Sequence, residues 1–171
     1  FVTSGNSVSA VYAEQGSVKQ DDGKLVLITG AKIPENGYTS GETKFQNLDS
    51  YTNEIDLIGE NRVAYANAEY AYGIYSGGGT VELNDVYAAV FGGYSAGLLS
   101  KNGGNITVGN IDVTVAINEG AGYGNANLLS STAISTESGN ITVSGNADIV
   151  TNGLGITARA TSSSDAGNIT L

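Results

Sequence analysis

The chain has 171 residues, of which 40% are hydrophobic, and this is enough to bury the core of a single domain. It contains no Cys and no His, so its composition excludes disulfides, thiolate metal sites and histidine-based catalysis. Its 17 acidic residues against 7 basic residues give a net charge of -10 at pH 7, which argues against nucleic acid as a partner.

The two ends of the chain carry no targeting or spanning segment that the sequence reveals. No apolar run is long enough for a transmembrane helix, so we expect membrane contact only through an anchor outside residues 1–171. The chain begins at Phe1 and has no Met, from which we expect a processed or excised piece of a longer protein. We therefore interpret residues 1–171 as one segment that is truncated at one or both ends.

Short strand-like phrases recur from the beginning of the chain. Each phrase begins with a small residue that is followed by an aliphatic residue or Tyr. A polar gap comes next, and then a second strand. In the first third the copies are weak, with residues 10–13 preceding residues 16–18 and residues 37–40 preceding residues 43–45. Their register stays open, because residues 24–28 and 55–58 could equally begin a repeat.

A further weak copy begins at residue 73, and the copies that begin at residues 97, 133 and 155 align well. The block Gly-Asn-Ile-Thr-Val/Leu occurs three times, at residues 104–108, 139–143 and 167–171. Apolar and polar residues alternate within it, as in a strand with one buried face, and its Asn residues could form a hydrogen-bonded ladder. The inward residues of successive copies would stack as aliphatic ladders: Val81 and Leu83, Ile106 and Val108, Ile141 and Val143, Ile169 and Leu171.

These repeats predict the architecture. Two further short runs, such as residues 147–151 and 155–160, separate successive blocks, so each repeat holds about three strands. Repeats that pack only on their neighbours are typical of solenoids, and crossover connections are strongly biased to the right hand. We predict an all-β right-handed parallel β-helix with about three strands per rung and about six rungs. Residues 118–127, rich in Gly and Asn, would form a loop that bulges from its rung.

The tandem Gly-Asn-Ile-Thr-Val/Leu blocks, the Ala-Tyr-Gly-Ile-Tyr-Ser run at residues 71–76 and the absence of Cys resemble a known family. They resemble passenger domains of bacterial type V secretion proteins, both autotransporters and filamentous-haemagglutinin-like exoproteins. The resemblance covers most of residues 60–171. It implies a right-handed β-helix that is displayed on, or shed from, a Gram-negative cell, and many such passengers are adhesins while some are toxins or proteases.

The motifs that could carry chemistry are weak. Residues 93–97 match the Gly-x-Ser-x-Gly pattern of serine hydrolases, but that pattern needs a His base, so it favours a turn. A polysaccharide-processing site would need clustered carboxylates beside Arg62 or Arg159. The acidic residues considered for such a site are dispersed along the sequence: Asp56, Asp85, Asp112 and Asp148. We expect no catalysis, no cofactor and no metal, including no structural Ca²⁺ between rungs.

Tyrosine is concentrated in the middle of the chain. Six of the ten Tyr residues lie between residues 65 and 94, and Phe91 joins them. Tyr provides a large contact area with a hydrogen-bonding tip, which suits protein or glycan binding, although those in strand-like runs could instead face inward. The candidate partner-binding residues are Tyr65, Tyr70, Tyr72, Tyr75, Tyr87, Phe91, Tyr94 and Tyr123.

The sequence therefore predicts a secreted or surface-displayed bacterial protein that acts in adhesion or receptor binding. Its partner would be a host or bacterial surface protein or a glycan, with residues 118–127 as a second contact region. Three alternatives remain: a polysaccharide-processing enzyme, a structural stalk, and a secreted toxin or growth-factor mimic. A groove that combined carboxylates with Arg62 or Arg159 would favour the enzyme.

Overall fold

The computed structural model describes residues 1–3, 7–30, 70–116, 131–151, 153–160 and 167–171. Strands account for 69% of these residues and none of them is helical, which confirms the all-β prediction. In the same residues, no helix is long and apolar enough to cross a membrane. Several features predicted from the sequence lie outside the described residues: the copies at residues 37–45 and 55–58, the loop at 118–127, Tyr65, Tyr123, Asp56 and Arg62.

Thirteen strands form in the described part of the chain. They are β1 (Val2–Thr3), β2 (Ser9–Ala13), β3 (Ser17–Lys19), β4 (Lys24–Thr29), β5 (Tyr72–Ser76), β6 (Thr80–Phe91), β7 (Ala96–Ser100), β8 (Gly104–Ala116), β9 (Thr132–Thr136), β10 (Gly139–Val143), β11 (Ala147–Thr151), β12 (Leu154–Ala158) and β13 (Asn168–Thr170). They divide into two sheets in which every pairing is parallel.

The small sheet contains five strands that follow one another in chain order, β2, β5, β7, β9 and β12. Ile74 of β5 pairs with Val11 of β2 on one side and with Leu98 of β7 on the other. Leu98 in turn pairs with Ile134 of β9, and Ile134 pairs with Ile156 of β12. This register confirms the alignment of the sequence copies that begin near residues 10, 73, 97, 133 and 155.

The large sheet is built around the long strands β6 and β8. The first half of each pairs with shorter strands of other repeats, β3 with β6 and β10 with β8, and β13 follows β10. The second half of β6 pairs with β4, the second half of β8 pairs with β11, and β1 pairs with β4. A repeat thus supplies one strand to the small sheet and then two strand segments to the large sheet.

The two segments of the large sheet are joined differently from one repeat to the next. In β6 and β8 they run on as a single strand, and the pairing passes over only Asn84 and Gly109 at the junction. In the repeat of β10 and β11 the residues between them, 144–146, are not extended. A single intervening residue leaves no room for a loop, so the backbone of β6 and β8 stays extended and paired through the bend.

The hydrophobic core lies between the two sheets, and the aliphatic ladders predicted from the sequence form part of it. Ile106 pairs with Val81 on one side and with Ile141 on the other, and all three are at most 1% exposed. Ile141 pairs with Ile169, which is partly buried. Leu171 was predicted to complete the ladder but is 59% exposed, because it follows the end of β13, the outermost strand of the described part of this sheet.

The polar face of the Gly-Asn-Ile-Thr blocks carries a ladder of amides. Asn140 donates a hydrogen bond from Nδ2 to Oδ1 of Asn105 at 2.9 Å. Asn168 donates in the same way to Oδ1 of Asn140 at 3.2 Å. The predicted Asn ladder is confirmed, and it runs in the same direction as the strand pairing of β8, β10 and β13.

Candidate functional site

Five Tyr residues gather on the face of the small sheet that points away from the core. Two of them come from the turns that lead into its strands. Tyr70 and Tyr94 hold equivalent positions in successive repeats, two residues before the paired Tyr72 and Ala96. Both have left-handed backbone conformations, with φ of 59° and 53°. Left-handed conformations are unfavourable for bulky residues, so these turns hold exposed rings where Gly or Asn would be less strained.

The rings of these turn residues contact each other. Tyr70 and Tyr94 stack with their centroids 5.5 Å apart. Their residues are 45% and 38% exposed, which makes them two of the most accessible large side chains in the described residues. Stacking of this kind stabilises both rings in one orientation, so the strained turns present a fixed aromatic surface.

A second aromatic stack continues the first along the same sheet face. The rings of Tyr12 and Tyr75 are nearly parallel, with centroids 5.2 Å apart, and Tyr75 also stacks on Tyr72 at 5.4 Å. Partial burial raises the pKa of Tyr72 to about 12, with the negative charges of Tyr75, Glu137 and Tyr70 adding to the effect. The Tyr72 hydroxyl therefore stays protonated at neutral pH and can donate a hydrogen bond.

A column of charged residues lines the same face at the end of the strands. Lys101, Glu137 and Arg159 each follow directly after a paired strand of the small sheet, β7, β9 and β12. Their positions are fixed by backbone hydrogen bonds, from the Glu137 amide to the Ser100 carbonyl and from the Arg159 amide to the Thr136 carbonyl. Lys101 Nζ lies 2.8 Å from Glu137 Oε2 in an ion pair whose side chains are both partly exposed.

Between the rings and the charged column lies a groove of about 300 Å³, which we call the aromatic groove. Its walls are the rings of Tyr70, Tyr72 and Tyr94 on one side and the charged column on the other. Its floor includes Thr132 and Ser135. Ser135 Oγ accepts a hydrogen bond from Thr157 Oγ1 at 2.9 Å, so its own proton can be donated to a ligand. The groove can thus offer ring faces, hydroxyl groups, two cations and one carboxylate to a bound molecule.

The structure brings together four of the eight candidate residues. Tyr70, Tyr72, Tyr75 and Tyr94 lie on one face, whereas Tyr87 and Phe91 do not join them. Tyr87 is 6% exposed and Phe91 is 1% exposed, because the apolar run from Val86 to Phe91 in β6 is buried on both faces. Neither residue therefore presents a ring to a partner at the surface. Lys24 Nζ lies 5.9 Å from the centre of the Tyr87 ring.

Sequence reasoning missed Tyr12, Lys101 and Glu137, and it considered Arg159 only as part of an enzyme site. The alignment of the sequence copies could have revealed these charged residues, because they occupy the same alignment column, directly after each aligned phrase. That column reads Glu14, Gly77, Lys101, Glu137 and Arg159. The three charges of the groove are separated by 36 and 22 residues in the sequence, so only the strand register reveals that they are neighbours.

The acidic residues are not as dispersed as the sequence indicated. Asp112 pairs directly with Asp148, and Asp85 lies one repeat away in the same part of the large sheet. Burial raises the pKa of Asp112, Lys24 acts to lower it, and the charges of Asp148 and Asp85 raise it further. These carboxylates belong to the large sheet, away from the aromatic groove. Within the described ranges, no three acidic side chains come close enough to hold a metal ion.

The Gly-x-Ser-x-Gly match at residues 93–97 forms the turn that leads into β7, as predicted. Ser95 is 1% exposed. Its Oγ accepts a hydrogen bond from the Ala71 amide and donates one to the Gly93 carbonyl, both at 3.0 Å. The hydroxyl therefore holds two successive turns together.

Comparison of the chain with protein-family models, with curated proteins and with solved structures finds no match.

Proposed function

We propose that the chain is a three-sided, right-handed parallel β-helix that acts as a recognition module of a secreted or surface-displayed bacterial protein. The pairing of strands supports the solenoid, since the strands of the small sheet follow one another in chain order with the same register. The right hand follows from the bias of parallel crossover connections. The lack of Cys and the recurring Gly-Asn-Ile-Thr blocks support a passenger of the type V secretion kind.

The function that this geometry supports best is binding, in adhesion or receptor engagement. The observation that carries the proposal is the aromatic groove, in which exposed Tyr rings from successive repeats meet a column of charged side chains. Tyr side chains lose little conformational entropy when they bind, and they combine apolar contact with hydrogen bonding. Grooves of roughly 300–1,000 Å³ with a few convergent polar groups are typical of ligand sites.

The small sheet would supply the rigidity that such a site needs. Each groove residue lies on, or next to, a strand that is paired on at least one side. Its backbone is therefore held in place before a ligand arrives, and less freedom is lost on binding. The stacked pairs of rings limit the side-chain freedom in the same way.

An enzyme of the polysaccharide-processing kind has weaker support. Hydrolysis of this kind normally uses two carboxylates that flank the bond to be cleaved. Among the described residues that line the groove there is one carboxylate, Glu137, and it is already paired with Lys101. Arg159 does lie in the groove, which is the feature that would have favoured an enzyme. Asp112 and Asp148, which do form a carboxylate pair, lie on the other sheet.

The proposal can be tested by the retention of the fluorescently labelled chain on epithelial and bacterial cells, measured by flow cytometry. We expect the double variant Tyr70→Ala/Tyr94→Ala to lose at least about tenfold in apparent affinity, because aromatic anchors dominate binding energies. The matched control is Glu82→Ala/Thr107→Ala, which changes two exposed and directly paired residues of the large sheet. Circular dichroism would show that both variants fold.

Retention that is equal for the parent chain and both double variants would contradict a binding role for the groove. That result would instead favour a structural stalk, in which this part of the protein makes no contact with a partner.

A further inference from the structure

The aromatic groove concentrates positive charge on a strongly acidic protein. The chain has only 7 basic residues and a net charge of -10. Lys101 and Arg159 both line the groove, where Glu137 is the single acidic side chain of the lining. The lining therefore carries a net charge of +1. A local excess of positive charge on a negative surface attracts an anionic group to that point and disfavours its binding elsewhere on the molecule.

The two cations are not equivalent. Lys101 is engaged, since its Nζ lies 2.8 Å from Glu137 Oε2. Arg159 is exposed, and its guanidinium makes no ion pair with any residue that the structure describes. A guanidinium presents planar donors that match the two oxygens of a carboxylate. Arg159 is thus an anion-binding group that no described residue engages, in a groove that is also lined by aromatic rings.

The rest of the groove fits the surface of a sugar ring. A pyranose has an apolar face of C–H groups and an edge of hydroxyl groups. The rings of Tyr70, Tyr72 and Tyr94 offer apolar faces, and the Tyr72 hydroxyl and Ser135 offer hydrogen bonds to the sugar hydroxyls. An acidic peptide would satisfy Arg159 but would make less use of this number of hydroxyl groups beside ring faces.

We propose that the ligand of the aromatic groove is an acidic glycan, whose carboxylate binds Arg159 while a sugar ring stacks on the Tyr wall. This inference rests on the proposed binding function and names the class of ligand. Charge complementarity selects the carboxylate, and the combination of ring faces and hydroxyl groups selects the saccharide.

The test uses matched pairs of glycans that differ in charge. Trigalacturonate and 3′-sialyllactose are each compared with their own methyl esters by isothermal titration calorimetry against the full 171-residue chain. We expect at least one acidic glycan to bind about tenfold or more tightly than its neutral counterpart. Arg159→Gln removes the charge but keeps a planar amide, and it should reduce the affinity for the acidic glycan to that for the neutral one. A rising NaCl concentration should weaken the binding of the acidic glycans only.

Two controls separate the groove from general electrostatic attraction. Lys19→Gln removes an exposed cation of β3, a strand of the large sheet, where Lys19 pairs with Asp21. This substitution should leave the affinities unchanged. A triglutamate peptide carries carboxylates without a sugar ring and should bind at least tenfold more weakly than the acidic glycan.

Equal affinity for acidic and neutral glycans, an unchanged affinity in Arg159→Gln, or equally tight binding of triglutamate would each overturn the acidic-glycan proposal. If no glycan binds while cell retention still depends on Tyr70 and Tyr94, the inference fails and the proposed function stands. If cell retention does not depend on these rings and no glycan binds, both fail.

Discussion

Asp112 shows how the register of the large sheet changes the properties of one side chain. It is partly buried, it pairs directly with Asp148, and burial raises its pKa above that of an ordinary aspartate. An acid whose pKa is raised on folding binds its proton more tightly in the folded state. Its stabilising contribution is therefore fully present below the pKa of the unfolded chain and is lost as pH rises through the folded pKa.

We expect Asp112→Asn to raise the urea midpoint of unfolding at pH 7 and to have little effect near pH 3, where the parent residue is already neutral. The gain at pH 7 should be below about 1 kcal/mol, because a partly exposed charge is screened by solvent. The matched control is Asp21→Asn, whose carboxylate lies on the surface beside Lys19, and its effect should be small at every pH. A gain for Asp112→Asn that was the same at pH 3 and pH 7 would argue against this explanation.

At the same scale, the sequence indicated only in part which of the candidate aromatic rings reach the surface, for a physical reason. Tyr70, Tyr72, Tyr75 and Tyr94 were identified because their density in the sequence is high. Tyr87 and Phe91 share that density, but they lie in the continuous apolar run of β6, where alternation between apolar and polar residues is absent. Without alternation, the sequence does not indicate which residues reach the surface.

Among the secondary-structure elements, β7 packs tightly against the large sheet at one glycine. Gly97 lies opposite the large sheet, and a Cβ at this position would collide with the Val113 side chain and the Ala133 carbonyl. The equivalent position in β12 is Gly155, where a Cβ would meet nothing within 4 Å. The two glycines are thus a matched pair with the same place in the repeat and different surroundings.

We expect Gly97→Ala to destabilise the fold by about 1–3 kcal/mol, as overpacking of a well-packed core does. Gly155→Ala should be neutral, or stabilising by up to about 1 kcal/mol, because it restricts the unfolded chain. Denaturant unfolding of both variants would measure the difference. Equal effects of the two substitutions would show that the small sheet is not tightly packed against β8 at this point.

Much of the arrangement of the elements could be predicted from the sequence. The blocks at residues 104–108, 139–143 and 167–171 alternate strictly, and this predicted their shared register in β8, β10 and β13. The continuity of β6 and β8 was not predicted, since Asn84 and Gly109 look like turn residues in the sequence. Contacts across a bend depend on hydrogen bonds to neighbouring repeats, and those are not visible in a local pattern.

For the molecule as a whole, the described residues form an array of repeats that contribute strands to two parallel sheets. The strands of a repeat pair only with strands of adjacent repeats of the described chain. The stability of such arrays is approximately a sum of repeat and interface terms. Protection from exchange should therefore be uneven along the chain, with the middle of the series more stable than its ends.

Amide hydrogen exchange measured by mass spectrometry would check this expectation. We expect the slowest exchange in β6, β7 and β8, which are paired on both sides, and the fastest in β3 and β13, whose residues are exposed or only partly buried. The difference in protection should amount to several kcal/mol of opening free energy, on the scale of the gap between fraying ends and global unfolding. Uniform protection across these strands would indicate a single cooperative unit instead.

The shared register of β5, β7 and β9 also affects how the gene that encodes such a chain can change over generations. A DNA segment for one whole repeat could be lost or copied, and the flanking strands would still meet with matching hydrogen-bond donors and acceptors. The two sheets would then lose or gain whole strands without a new folding problem. Because Tyr70 and Tyr94 hold equivalent positions in consecutive repeats, a duplication of either of these two repeats would add one ring to the aromatic surface.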